Sequence, residues 1–246
     1  MNKIVAVLPS RYASTRFPGK PLALIHNKPM IQWVYERVKK MKKIDEVYVA
    51  TDDERIMECV SSFGGKAIMT PSDLPSGTDR IAYAVNEIKT DYDLVLNIQG
   101  DEPMIKEEMI DTLISAFEDE AVSFATLCKR IEDEQEINNP NIAKVVKTTD
   151  DFAVYFSRST IPFNRDNHDK TEYFKHIGVY GYKPSFLKEF ASLNQSYLET
   201  MEQLEQLRAI ENNLPVKILE TPFQSIGVDL PEHIAVVENE LKSELI

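Results

Sequence analysis

Short apolar runs alternate with stretches of helical periodicity over the first 130 residues, and this alternation constrains the fold of the 246-residue chain most. Lys3–Leu8 is a continuous apolar strand, the pattern of one covered on both faces. From Pro29 the period changes. Met30, Ile31, Val34, Val38 and Met41 recur at spacings of three and four, which predicts a helix closed by Lys39, Lys40, Lys42 and Lys43. Glu46–Ala50 is the next strand. Thr51-Asp52-Asp53 supplies N-cap chemistry for a helix reaching Phe63, and Gly64-Gly65 ends it. Strand Lys66–Met69, loop Thr70–Gly77, a helix carrying Ile81, Ala84, Val85 and Ile88, and strand Asp93–Ile98 follow. A helix to about Phe117 and a strand near Val122–Leu127 complete the alternation. The order predicts βαβ units: an α/β fold with a mostly parallel, Rossmann-like twisted sheet and helices on both faces.

After about residue 130 the pattern loosens. Ala143–Lys147, Val154–Phe156 and His176–Tyr182 are β-like pieces joined by segments rich in Asn, Asp and Pro. Helices over Pro184–Ala191 and about Tyr197–Asn212, strand Val216–Leu219 and a closing helix from Pro231 follow. The expectation is a single domain over 1–246, with a first part to about residue 130 and an elaborated second part from 131.

Composition narrows the function. A net charge of −12 disfavours nonspecific nucleic-acid binding, and no apolar stretch is long enough to span a membrane. Cys59 and Cys128 are isolated, which suits a reducing compartment, and the opening apolar run lacks a signal-peptide cleavage site. The expected location is cytoplasmic. The charge is unevenly spread: the segment to Lys43 carries +9 and the remainder −21. Arg11, Arg16 and Lys20 fall in a loop directly after the first strand, where open α/β sheets bind ligands. Ser, Thr, Gly, Arg and Lys in that loop are the donors and cations a polyphosphate needs. Neither a Walker pattern nor Gly-x-Gly-x-x-Gly is present.

The loop Arg11-Tyr12-Ala13-Ser14-Thr15-Arg16-Phe17-Pro18-Gly19-Lys20-Pro21-Leu22 resembles the N-terminal signature of the 3-deoxy-manno-octulosonate (Kdo) cytidylyltransferases. Further matches are Lys28-Pro29-Met30-Ile31, Ala50-Thr51-Asp52-Asp53, Ser76-Gly77-Thr78-Asp79-Arg80 and Asn97-Ile98-Gln99-Gly100-Asp101-Glu102-Pro103. Phe156-Ser157-Arg158-Ser159-Thr160-Ile161-Pro162, His176-Ile177-Gly178-Val179-Tyr180-Gly181-Tyr182, Leu204-Glu205-Gln206-Leu207-Arg208 and Gly227-Val228-Asp229 complete the set in family order. Ser10 and Asn27 depart from the family's usual Ala and Gly.

The resemblance implies a nucleotide-diphospho-sugar transferase type of α/β fold with a smaller dimerisation and sugar-binding subdomain, a homodimer, and activation of Kdo for lipopolysaccharide. It implies CTP contacts from Arg11 and Lys20, a nucleotide pocket lined by Ser76, Gly77, Arg80 and Asp101, and Mg²⁺ on Asp101 and Asp229. For the sugar acid it implies Gln99, Arg158, His176, Tyr180, Glu205 and Gln206. Arg11, Lys20 and Asp101 would be catalytic. Taken alone, Ser76 or Thr78 reads equally as a helix cap, each Gly-Asp as a turn, and Glu205 as a solvated helix residue. His176 and Tyr180, an even number of residues apart, share a face of a strand. The same chemistry on 8-amino-Kdo, a neuraminate or capsule Kdo is the nearest rival, and segment Phe163–Tyr173 could tune that choice. More distant are a glycosyltransferase and a catalytically silent nucleotide-binding protein.

Overall fold

The computed structural model describes residues 3–14, 16–166, 168 and 171–244, with the side chains of 243 and 244 left aside. Thr15 of the first loop, and Asn167, Asp169 and Lys170 of the 163–173 segment, lie outside the described residues. Contacts divide the chain into two compact units, Met1–Glu107 with Gln224–Ile246, and Glu108–Phe223. The boundaries therefore fall at 107 and 223, and the C-terminal segment belongs with the first unit.

The first unit opens with β1 (Ile4–Ser10), whose residues from Ile4 to Leu8 are all buried. A tight hairpin of β2 (Leu24–Ile25) and β3 (Lys28–Pro29) turns through His26 and Asn27, both at positive φ. Asn at the second position accepts that geometry with little strain. Then come α1 (Met30–Lys39), β4 (Glu46–Thr51), α2 (Glu54–Ser62), β5 (Ala67–Met69), α3 (Gly77–Glu87) and β6 (Leu94–Asn97). The strands pair in parallel in the order β6-β1-β4-β5. Two helices are capped as expected from sequence: Asp53 accepts from Arg55 N at 3.0 Å, and Ser76 from Asp79 N at 3.2 Å. Helix α1 is closed by Lys39 in its last turn and Lys40 at its C-cap, as expected, while Lys42 and Lys43 lie beyond it.

The second unit holds α4 (Glu107–Ser115), β7 (Phe124–Arg130), α5 (Glu134–Ile137), β8 (Lys144–Lys147), β9 (Ala153–Ser157), β10 (Phe174–Tyr182), α6 (Pro184–Ser192), α7 (Tyr197–Glu202), α8 (Leu207–Glu211) and β11 (Lys217–Glu220). Strand β7 pairs β10 antiparallel and β11 parallel, while β8 pairs β10 and β9 antiparallel. Phe124 anchors the core, with its ring centroid 4.9 Å from Tyr182 and 5.0 Å from Phe186.

The single helix expected over Tyr197–Asn212 is two. Gln203 takes a left-handed conformation, φ 54°, and ends α7. The reason is electrostatic. In one straight helix, Glu199 and Arg208 would stand about 13 Å apart along the axis. The break lets Arg208 donate to both Glu199 oxygens, at 2.9 and 2.7 Å, and both residues are buried. Paired in this way, neither is an uncompensated buried charge.

The chain then returns to the first unit as α9 (His233–Glu244). Val237 and Leu241 join Ile25, Met30, Met104 and Val228 in one apolar cluster. His26 N donates to Glu238 Oε1 at 2.8 Å, tying the β2–β3 hairpin to this helix. Among the described residues no helix is long and apolar enough to cross a membrane.

Candidate active site

The loop after β1 is folded on Tyr12. The main-chain N–H groups of Ser14 and Gly19 both donate to Tyr12 O at 2.9 Å. Gly19 takes φ 71°, and a Cβ there would stand 3.1 Å from the Tyr12 ring, so this position requires glycine. Arg55 stacks on the same ring at 3.3 Å while its guanidinium holds Asp53. The turn so formed leads into Lys20, whose side chain is 14% exposed.

Lys20 Nζ donates to Asp101 Oδ2 and stands 3.5 Å from Asp229 Oδ1. Arg16 pairs with the same Asp229 oxygen at 3.0 Å. Residues 20, 101 and 229, far apart in sequence, therefore meet on one ammonium. Two contacts bring Asp229 there: the Val237–Leu241 cluster already described, and a bond from Val228 N to Asp101 O at 2.9 Å. Asp101 and Glu102 lie in the turn beyond β6, and Glu102 packs against Gly227, where an added Cβ would meet Glu102 Oε1 at 2.9 Å. Glu102 Oε2 is enclosed without a hydrogen-bond partner. Burial, then the neighbouring charge of Asp101, pushes this carboxyl up to about 7.

The other residues assigned to the nucleotide have structural ties. Ser76 Oγ donates to Asp79 Oδ2 at 2.7 Å besides capping α3, and Gly77 is the first residue of that helix. Arg11 donates to Leu74 O at 2.9 Å, which joins the first loop to loop 70–77. Arg80 is fully buried; it pairs with Asp52 at 2.8 Å and donates to Thr70 Oγ1. Its burial, and the nearby Arg11 charge, hold its pKa below the ordinary arginine value, against the pull of Asp52. Gln99 belongs to the first unit, where its amide donates to Asn97 Oδ1 at 2.9 Å.

The second unit gathers His176, Tyr180 and Gln206. Tyr180 OH donates to Gln206 Oε1 at 3.2 Å, and Gln206 Nε2 lies 3.4 Å from His176 Nδ1. The His176 and Tyr180 rings are 5.4 Å apart. They share a face even though the strand is irregular: Ile177 pairs Leu127 and Tyr180 pairs Thr126, so two extra residues are accommodated between them. An even insertion preserves the side on which each residue projects. Desolvation pushes His176 down to about 3, so its imidazole is neutral; burial and the Glu205 charge raise Tyr180 well above the ordinary tyrosine value. Glu205 and Gln206 lie in the turn between α7 and α8, not within a helix.

Arg158, which the resemblance assigns to the sugar acid, is bound mainly to main-chain carbonyls. Its Nε donates to Glu202 O at 2.7 Å and its Nη1 to Pro140 O at 3.1 Å, while its main-chain N–H donates to Glu202 Oε2 at 2.9 Å. These bonds gather the carbonyl end of α7. Glu202 and Thr126 carry the local organisation, and sequence reasoning missed both. No spacing signal separates either from an ordinary helix glutamate or strand threonine.

For a divalent cation, Asp101 and Asp229 are hard oxygen donors already converging on one positive centre. Among the described residues no group of three or more His, Cys, Asp or Glu could hold a metal alone. The pair fits Mg²⁺, which takes one or two carboxylates and completes its shell with phosphate oxygens and water.

The cytidylyltransferase family matches residues 5–220. The chain is 54% identical over 245 residues to the 3-deoxy-manno-octulosonate cytidylyltransferase of Thermodesulfovibrio yellowstonii, covering 95% of this chain and 96% of that protein. It is 48% identical over 241 residues to the 8-amino-3,8-dideoxy-manno-octulosonate cytidylyltransferase of Shewanella sp. (strain ANA-3), covering 97% and 98%. Among solved structures, CMP:2-keto-3-deoxy-manno-octonic acid synthetase complexed with CTP is similar at TM-score 0.92 and 43% identity, covering 98% of this chain and 99% of that one. The chain belongs to the cytidylyltransferase family, on the branch that holds the 3-deoxy-manno-octulosonate cytidylyltransferases. The mixed α/β fold with a mostly parallel sheet flanked by helices is that of these relatives.

Proposed function

We propose that this chain transfers CMP from CTP to 3-deoxy-manno-octulosonate, releasing pyrophosphate, as a Mg²⁺-dependent homodimer in the cytoplasm that activates Kdo for lipopolysaccharide. The observation that carries the reading is the convergence of Asp101 and Asp229 on Lys20, beside a basic loop built to meet a triphosphate. The homodimer, cytoplasmic location and lipopolysaccharide destination rest on the family resemblance.

In the reaction, the anomeric hydroxyl oxygen bonds to the α-phosphorus of CTP, its proton passes to water, and the bond from that phosphorus to the α,β-bridging oxygen breaks to release pyrophosphate. Asp101 and Asp229 would hold Mg²⁺, whose chemistry there is to lower the pKa of the attacking hydroxyl and offset phosphate charge. Lys20 and Arg11 meet the negative charge that builds on the departing pyrophosphate. Gly77 and Ser76 present the positive end of α3 to an anion. His176, Tyr180 and Gln206 supply neutral donors and acceptors for a polyhydroxylated acid.

The relatives include enzymes named for Kdo and for its 8-amino analogue, at 54% and 48% identity, so the analogue is the second reading. Pyrophosphate release, measured with each nucleoside triphosphate against Kdo, 8-amino-Kdo and N-acetylneuraminate, decides between them. CTP with Kdo is expected to give the highest kcat/KM. Preference for the 8-amino acid would move the reading to that substrate, and no release with any acid would refute it. Sedimentation equilibrium tests the homodimer.

A further inference from the structure

Thr126, on β7, is fully buried. Its hydroxyl reaches three groups: Val179 O at 2.8 Å, Ile177 O at 3.1 Å and His176 Nε2 at 3.0 Å. The two carbonyls belong to the irregular stretch of β10, where two residues exceed the pairing with β7. A carbonyl only accepts. Two carbonyl oxygens at 2.8 and 3.1 Å compete with one ring nitrogen for the single hydroxyl proton of Thr126, and when it goes to a carbonyl Thr126 is the acceptor toward the imidazole. His176 then carries its proton on Nε2.

The rest of the chain follows from that choice. With Nε2 protonated and the ring neutral, Nδ1 is an acceptor, so the nitrogen of the Gln206 amide faces it. The amide oxygen of Gln206 is thereby turned to Tyr180, whose hydroxyl must donate to it. Each bond runs in one direction: Tyr180 to Gln206, Gln206 to His176, His176 to Thr126, Thr126 to the strand carbonyl. With its proton used inward, the Tyr180 oxygen is left to act as an acceptor toward a ligand hydroxyl.

We propose that Thr126 is a positioning residue for the sugar acid: it sets the His176 tautomer, and through it the orientation of the Gln206 amide and the polarity of Tyr180. The inference rests on the reading that His176, Tyr180 and Gln206 receive the sugar acid. Thr126 itself touches no reacting atom.

Two measurements test it. The first is independent of turnover: ¹⁵N chemical shifts of the His176 ring in the wild-type protein, assigned against a His176→Asn variant, are expected to show the Nε2-protonated tautomer. The Nδ1-protonated form would overturn the proposal. The second is kinetic. Thr126→Val, which keeps shape and removes the hydroxyl, is expected to raise the KM for Kdo roughly tenfold, the cost of a buried donor left unpaired. The KM for CTP should stay within about twofold, and Thr126→Ser should restore the Kdo value. An unchanged KM for Kdo, an equal rise in both constants, or no rescue by Ser would each refute the assignment. If Thr126→Val fails to fold, the wild-type tautomer and the Thr126→Ser constants still decide it. A wild-type protein inactive toward every acid, yet showing the Nε2 tautomer, would sink the substrate reading and leave the network standing.

Discussion

The two clusters of polar side chains in this chain work by opposite physics. In the first unit, Lys20, Arg16, Asp101 and Asp229 are full charges, and the Arg16 and Asp229 side chains are 60% and 51% exposed. Such a group has loose geometry and long reach, and solvent screens it until a ligand displaces the water. In the second unit, His176, Tyr180 and Gln206 are neutral and joined by directed hydrogen bonds. Charges there, such as Glu199 and Arg208, are sealed against one another. A charged cluster suits a substrate whose charge changes during the reaction, and a neutral one suits recognition of hydroxyl patterns. On the function proposed above, the first unit would carry the chemistry and the second the selection.

The largest expected effect tests the first half of that contrast. Asp101→Ala removes the carboxylate that holds Lys20 and that, on the proposed function, would supply a metal oxygen. It should lower kcat by about 10³-fold or more, while the KM for Kdo stays within about twofold. Pyrophosphate release under saturating CTP and Mg²⁺ measures both. Wild-type turnover in this variant would break the comparison outright, because the charged cluster would then have no part in the chemistry.

Next comes a contrast within the cluster. Lys20→Ala should lower kcat about 10²-fold, and lower it more than it raises the KM for CTP, because its charge is matched to the transition state. Arg16→Ala should change kcat by less than about threefold, since an exposed ion pair is worth little. Steady-state kinetics with varied CTP separates them. If the KM for CTP rises in Lys20→Ala while kcat holds, Lys20 binds the ground state and the cluster is a docking site only.

The charged half was more legible in sequence than the neutral half, for physical reasons. Arg11, Lys20 and Asp101 each follow a buried strand, and in a parallel sheet the strand ends gather such loops on one side. Ser76 and Asp53 were legible as caps because capping acts over two or three residues. The pairing of His176 with Tyr180 survived an irregular strand only because the insertion was even. Thr126 was invisible: a threonine on a strand is ordinary, and its role arises from carbonyls more than fifty residues away. The break at Gln203 was hidden too, since the apolar spacing continues through it and the Glu199–Arg208 pair that favours it is tertiary. Arg158 carries its motif position plainly, yet its bonds to Glu202 and Pro140 depend on where two loops and a helix end meet.

The smallest expected effect sharpens the second half of the contrast, through acid stability. In the folded chain, desolvation holds His176 neutral down to about pH 3. In the unfolded chain it titrates near the ordinary histidine value of about 6.5. Between these values the unfolded state binds a proton that the folded state refuses, so stability falls as pH falls through that window. The slope contributed is at most about 1.4 kcal/mol per pH unit, and it vanishes above about pH 7. His176→Asn removes the titrating group, so its stability curve should be flatter than wild type from pH 6.5 to 4, whatever its absolute stability at pH 8. Urea unfolding at half-unit pH steps reads the difference directly. Parallel curves would mean that the imidazole already takes a proton in the folded state. It would then present a charge to the ligand, and the second cluster would be electrostatic like the first.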